Sequence, residues 1–197
     1  MQIGQFSRLL TLLKVLTIGL VLAGCAGAAA PATPLPLTQI FQSSDGTITL
    51  NYPDGWFVGD APGLVTIANN QTVINAEVPA PGQFEARLFV TPISAIEGLG
   101  VAANPRDVLQ FFAEGLSTSG VTFNAPSDLS VGTRPAARID GSGTDGQGLV
   151  IAMNLDEGNY AFVSAISAPG EISRFEPTLL GILESLVYTP LLIPETP

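Results

Sequence analysis

From residue 38 to residue 167 most of the chain consists of short apolar or alternating segments, each of strand length and each bounded by Gly, Asn, Asp or Pro. This spacing constrains the fold more than any other feature, because it leaves little room for helices and calls for an antiparallel sheet. Residues 47–52 place Ile48, Leu50 and Tyr52 on one side and Thr47, Thr49 and Asn51 on the other, the period of a half-buried strand. Asp45-Gly46 and Asp54-Gly55 are turn signals on either side of it. Further strands are expected at 56–58, 64–68, 85–92, 134–140, 148–155 and 159–167, the last two joined through the turn Asp156-Glu157-Gly158.

Two stretches carry a helical period instead. The first opens on Asn104 as N-cap, Pro105 in the first helical position and Asp107 in the first turn, and buries Val108, Leu109, Phe112 and Leu116. The second is expected from Phe175 or Pro177 to Leu186, with Leu179, Ile182, Leu183 and Leu186 forming one stripe. Both stripes read as core, and so does Trp56, the one tryptophan.

Ahead of the strands lies a leader. Arg8 and Lys14 precede the apolar run Val15–Ala23, and Leu22-Ala23-Gly24-Cys25 places small residues before a cysteine, as in the lipobox of bacterial lipoprotein precursors. Residues 1–24 are expected to be a lipoprotein signal peptide, removed to leave Cys25 as a lipidated N-terminus. A transmembrane helix would need about 20 consecutive apolar residues, which Lys14 interrupts. Two or more acyl chains on Cys25, at about 0.8 kcal/mol per buried methylene, suffice for stable anchoring. Residues 25–37, rich in Ala and Pro, are expected to be a tether, residues 38–189 the folded domain, and residues 190–197 an extended tail. The location predicted is the extracytoplasmic face of a cell membrane. Ala26, rather than Asp, after the cysteine favours the outer membrane where a cell has two.

Beyond residue 24 there are five basic residues against 17 acidic ones, a formal charge of −12. Such a surface repels phosphate backbones, so nucleic acid is excluded as a partner, and with no polybasic segment any membrane contact runs through the lipid. The chain has no His, Lys14 is its only lysine, and Cys25 its only cysteine. Ser-His-Asp, Cys-His and Ser-Lys catalysis therefore fail for want of residues, as do zinc, haem and iron–sulfur centres, and no cofactor is expected. Gly141, Gly143 and Gly146 match a dinucleotide-binding spacing, but a strand rather than a helix is expected to follow them. The segment Asp140–Gly148 offers Asp140, Ser142 and Asp145 as weak candidate ligands for a divalent cation. It departs from a calcium loop at Gly146 and Ile151, and reads first as a hairpin loop. Paired carboxylates remain the one catalytic route open, although spacing nominates no pair.

The segments Asp45-Gly46-Thr47-Ile48-Thr49-Leu50-Asn51-Tyr52-Pro53-Asp54-Gly55-Trp56 and Phe175-Glu176-Pro177-Thr178-Leu179-Leu180-Gly181-Ile182-Leu183-Glu184-Ser185-Leu186 resemble the opening hairpin and closing helix of the PsbP-like (DcrB-like) family. The resemblance spans residues 38–188 in order of elements. It implies an α+β fold, an antiparallel sheet flanked by helices in an α/β/α sandwich, and it implies no catalytic residues. Three functions follow in order: a non-enzymatic accessory domain with a protein partner, a binding lipoprotein for a small apolar or cationic ligand, and a carboxylate-based hydrolase.

Overall fold

A computed structural model describes residues 32–74, 78–116, 121–143 and 146–190. Cys25, the leader, Asp145, the Leu116 side chain and the tail from residue 191 lie outside the described residues.

Two antiparallel sheets form. The smaller has the order β1–β2–β11, from β1 (Leu37–Gln42), β2 (Ile48–Pro53) and β11 (Val187–Tyr188). The larger runs β3 (Phe57–Ala61), β4 (Leu64–Ala68), β5 (Phe84–Pro92), β10 (Asn159–Ser167), β9 (Gln147–Asn154), β8 (Arg134–Ser142) and β6 (Thr122–Phe123), with β7 (Ser127–Val131) also pairing with β8. Its centre is β10, which lies between β5 and β9 over its full length.

Among the described residues there are three α-helices: α1 (Ile93–Glu97), α2 (Pro105–Leu116) and α3 (Ile172–Glu184). Side chains alternate across strands, so β5, β10, β9 and β8 each feed two cores. On one face Val65, Ile67, Phe84, Ala86, Leu88, Leu149, Ile151, Met153, Ala161, Val163 and Ala165 pack with Leu179, Ile182 and Leu183 of α3 and with Ile48 and Leu50 of β2. On the other, Ala137, Ile139, Ala152, Tyr160 and Phe162 pack with Ile96 of α1 and Val108 and Leu109 of α2. The expected arrangement, an antiparallel sheet flanked by helices, is the one observed.

The differences in detail have local causes. α2 starts as expected, Asn104 Oδ1 accepting the Asp107 amide at 2.9 Å. α3 begins at Ile172, earlier than Phe175, and Pro177 lies inside it rather than at its first position. Burial of Ile172 and Phe175 on the core stripe outweighs the amide that proline cannot supply. α1, β1, β6, β7 and β11 add to the expected elements; four of these five are five residues or shorter. The expected tether 25–37 is not free at its end. The unit containing the domain starts at Ala32, the Leu35 amide donates to Thr178 Oγ1 at 3.0 Å, and Leu37 already belongs to β1.

Candidate functional site

The expected cation loop is a hairpin. β8 continues through Ser142 and β9 starts at Gln147, with the Gly143 amide donating to Gly146 O at 3.1 Å. No helix follows Gly141, Gly143 and Gly146, so the dinucleotide spacing has no helix N-terminus behind it. Asp140 accepts from Arg138 Nη2 at 2.5 Å, and among the described residues no group of three acids is arranged to hold a metal ion. The adjacent acids Asp156 and Glu157 occupy the β9–β10 turn. There Asp156 Oδ1 accepts the Gly158 amide at 2.7 Å and Asn159 Nδ2 at 3.0 Å, the work of a turn residue.

On the α3 face the charges are tied into the fold. Arg138 reaches from β8 to Glu176 of α3 and to Asp140. Burial opposes its charge, but the Asp140 hydrogen bond and the charges of Glu176 and Asp140 outweigh burial and raise its pKa above the usual arginine value. Arg134 donates to Leu183 O at 3.2 Å and Leu186 O at 2.6 Å, satisfying carbonyls at the end of α3. Trp56 lies against Phe84 at 5.6 Å between ring centroids, and Phe84 stacks on Phe175 at 5.0 Å, so Trp56 is core packing, as expected.

The opposite face is more open. A cleft of about 540 Å³ separates α2 from β6, lined by Gln110, Ala113 and Glu114 of the helix and by residues 121–125. Its walls are mixed: Val121 and Phe123 are apolar, while Thr122, Asn124, Gln110 and Glu114 bring polar groups. Gln110 Nε2 donates to Glu114 Oε1 at 2.8 Å across one helical turn. Further along this face Tyr160 is fully buried with its hydroxyl unpartnered, and so is Oδ1 of Asn154, its register neighbour. Burial, and then the charge of Glu97 on α1, raise the Tyr160 pKa, which keeps the phenol neutral.

A third surface lies on the small sheet. Ile40 on β1 opposes Asn51, and Val187 on β11 opposes Thr49, so all four share the outer face. Ile40 is 74% exposed and Val187 56%. Neither was singled out from the sequence, because β1 carries a register irregularity between Leu37 and Gln39 that hides its alternation and β11 has only two residues.

The chain matches the solution structure of cyanobacterial PsbP (CyanoP) from Synechocystis sp. PCC 6803 with a TM-score of 0.51 at 12% identity, over 84% of this chain and 98% of that one. The domain has a PsbP-like fold. A weaker match is to LpqN, described as involved in cell envelope biogenesis of Mycobacterium tuberculosis, at 18% identity over 77% of this chain and 90% of its own, with a TM-score of 0.47. No protein-family model matches the chain, and no curated protein matches it in sequence. Likeness at these identities concerns the PsbP-like fold alone, so the side chains of this chain must carry any functional argument.

Proposed function

We propose that this protein is a lipid-anchored, extracytoplasmic accessory domain of a bacterial envelope, held through Cys25, without enzymatic activity, and engaged with a protein partner. One observation carries the reading: a chain whose Leu22-Ala23-Gly24-Cys25 segment fits lipid attachment leads into a PsbP-like domain whose sequence lacks His and any lysine beyond residue 14. The exposed Ile40 and Val187 on the small sheet supply the apolar surface that a protein partner would cover. The experiment is affinity capture of the full-length chain from its own membranes beside two variants. Cys25→Ser is expected in the soluble fraction, and Ile40→Glu is expected to stay membrane-bound but lose the proteins that copurify with the parent. A Cys25→Ser variant still bound to membranes overturns the anchor. Unchanged copurifying proteins with Ile40→Glu overturn the small-sheet surface.

The cleft between α2 and β6 favours a second reading, in which the same anchored domain holds a small cation with an apolar body. Its volume exceeds the roughly 300 Å³ at which ligand pockets begin, and Glu114 supplies the negative group. Titration of the full-length chain with benzylammonium is expected to saturate and to be abolished by Glu114→Gln. Absence of saturation overturns this reading.

A further inference from the structure

The face of the large sheet turned toward α1 and α2 carries a half-buried ion pair that neither reading uses. Glu85 on β5 is 1% exposed at its side chain, and its Oε1 accepts from Arg87 Nε at 2.5 Å. Its Oε2 has no hydrogen-bond partner. A buried carboxylate with an idle oxygen is costly and calls for a reason. Holding Arg87 by Nε supplies one: the side chain, 47% exposed, is fixed at Nε, which leaves its two Nη groups for a ligand.

Register sets the neighbours. Arg87 lies opposite Thr66 of β4 on one side and opposite Ser164 of β10 on the other. Adjacent strands are about 4.8 Å apart, so Thr66, Arg87 and Ser164 form a row of hydroxyl, guanidinium and hydroxyl across three strands. Among the described residues neither hydroxyl and neither Nη group makes a hydrogen bond within the protein. Ser164 is exposed although it sits on the central strand, because α2 covers β10 only around Tyr160 and Phe162.

Beside this row is a cleft of about 320 Å³ bounded by Phe57, Gly59, Asp60, Ala61, Thr66, Gln71 and Ile74. Asp60 lies opposite Val65, one residue out of phase with Gly59 and Thr66, and its carboxylate is held by the Ser44 amide at 2.7 Å and hydroxyl at 2.6 Å. The Phe57 ring folds over Gly59 so closely that a Cβ there would come within 2.9 Å of it. An aromatic floor thus adjoins a fixed fork of donors. The other strand arginines are engaged elsewhere, Arg138 in ion pairs and Arg134 on carbonyls. One guanidinium without a second cation suits a single carboxylate better than a phosphate.

We propose that the Thr66–Arg87–Ser164 row binds a small organic carboxylate, the carboxylate on the Nη groups and hydroxyls and the apolar body of the ligand over Phe57. This does not rest on the partner-binding or cation-binding readings. The test is calorimetric titration of the full-length chain with benzoate, with benzamide and benzylammonium as neutral and cationic counterparts. Benzoate is expected to saturate, and benzamide to bind at least tenfold more weakly. Arg87→Gln is expected to lose tenfold or more. Ser164→Ala and Thr66→Val, which remove hydroxyls that make no bond in the fold, are expected to lose about fivefold each, near 1 kcal/mol per hydrogen bond, with unchanged melting temperature. No saturation by about 10 mM benzoate, equal binding of benzamide, displacement of bound benzoate by benzylammonium, or unchanged affinity in both hydroxyl variants would each overturn the proposal.

Discussion

The two faces of the large sheet solve the same packing problem differently. On the α3 face, a thirteen-residue helix and a second sheet close over the strands, and the charges there join β8 to α3 through Arg138 and Glu176. On the opposite face, α1 and α2 cover one end only. Among the described residues that face holds three of the four buried side-chain polar atoms without partners: Glu85 Oε2, Tyr160 OH and Asn154 Oδ1. A protein tolerates unmatched buried polar groups where something other than stability is gained. The α3 face is thus closed for stability, while both proposed small-ligand sites lie on the other face.

The largest effect should come from emptying the α3 face. Phe84→Ala removes the ring between Trp56 and Phe175 and is expected to destabilise by about 4 kcal/mol, measured by urea denaturation followed through the fluorescence of the single tryptophan. A loss below about 1 kcal/mol would break the assignment. Next is Arg87→Met, which strands the buried Glu85 carboxylate. Because Arg87 is half exposed the cost should be near 2 kcal/mol, below that of a fully buried pair, and adding Glu85→Gln should recover part of it. No recovery in the double variant would mean that Arg87 matters for its packed stem rather than its charge.

Asn104→Ala removes the cap of α2 and should cost about 1 kcal/mol. If the faces are as separate as proposed, hydrogen exchange should rise on α2 while α3 amides stay protected. The smallest effect concerns pH. Asp45, in the β1–β2 turn, is lowered to about 2 by the Ser43 hydroxyl and then by the Thr47 amide and hydroxyl. A carboxylate depressed on folding contributes stability above its unfolded pKa, near 4, and loses it as pH falls toward 2. Asp45→Asn should therefore flatten melting temperature against pH between about 4 and 2, leaving neutral-pH behaviour nearly unchanged.

How far the fold was legible depended on how local its causes are. The segments 64–68 and 159–167 were readable residue by residue, since alternation or apolar runs between turn signals depend on nothing remote. The start of α2 was legible through its cap. The start of α3 was not, because Glu171 makes no side-chain cap and Pro177, which marks a first turn in most sequences, sits mid-helix. β1 was hidden by its irregular register and by an Ile40 that points to solvent. The carboxylate-binding row could not be read at all: Thr66, Arg87 and Ser164 are unremarkable singly, and only strand register makes them neighbours. The acidic character of the chain had pointed to a cation, and that remains the logic of the α2–β6 cleft.

One feature of the small sheet bears on how the molecule comes to exist. β2 pairs with β1 beside it in sequence and with β11 near the far end, Thr49 lying opposite Val187. The three-stranded sheet therefore cannot close until nearly the whole chain has emerged. The β3–β4–β5 and β8–β9–β10 meanders can form locally and early, whereas the β5–β10 and β2–β11 pairings must wait on long loop closures. Under the proposed export, such a delay would keep the chain unfolded during its passage, with the last described strand completing the sheet that the first described strands begin.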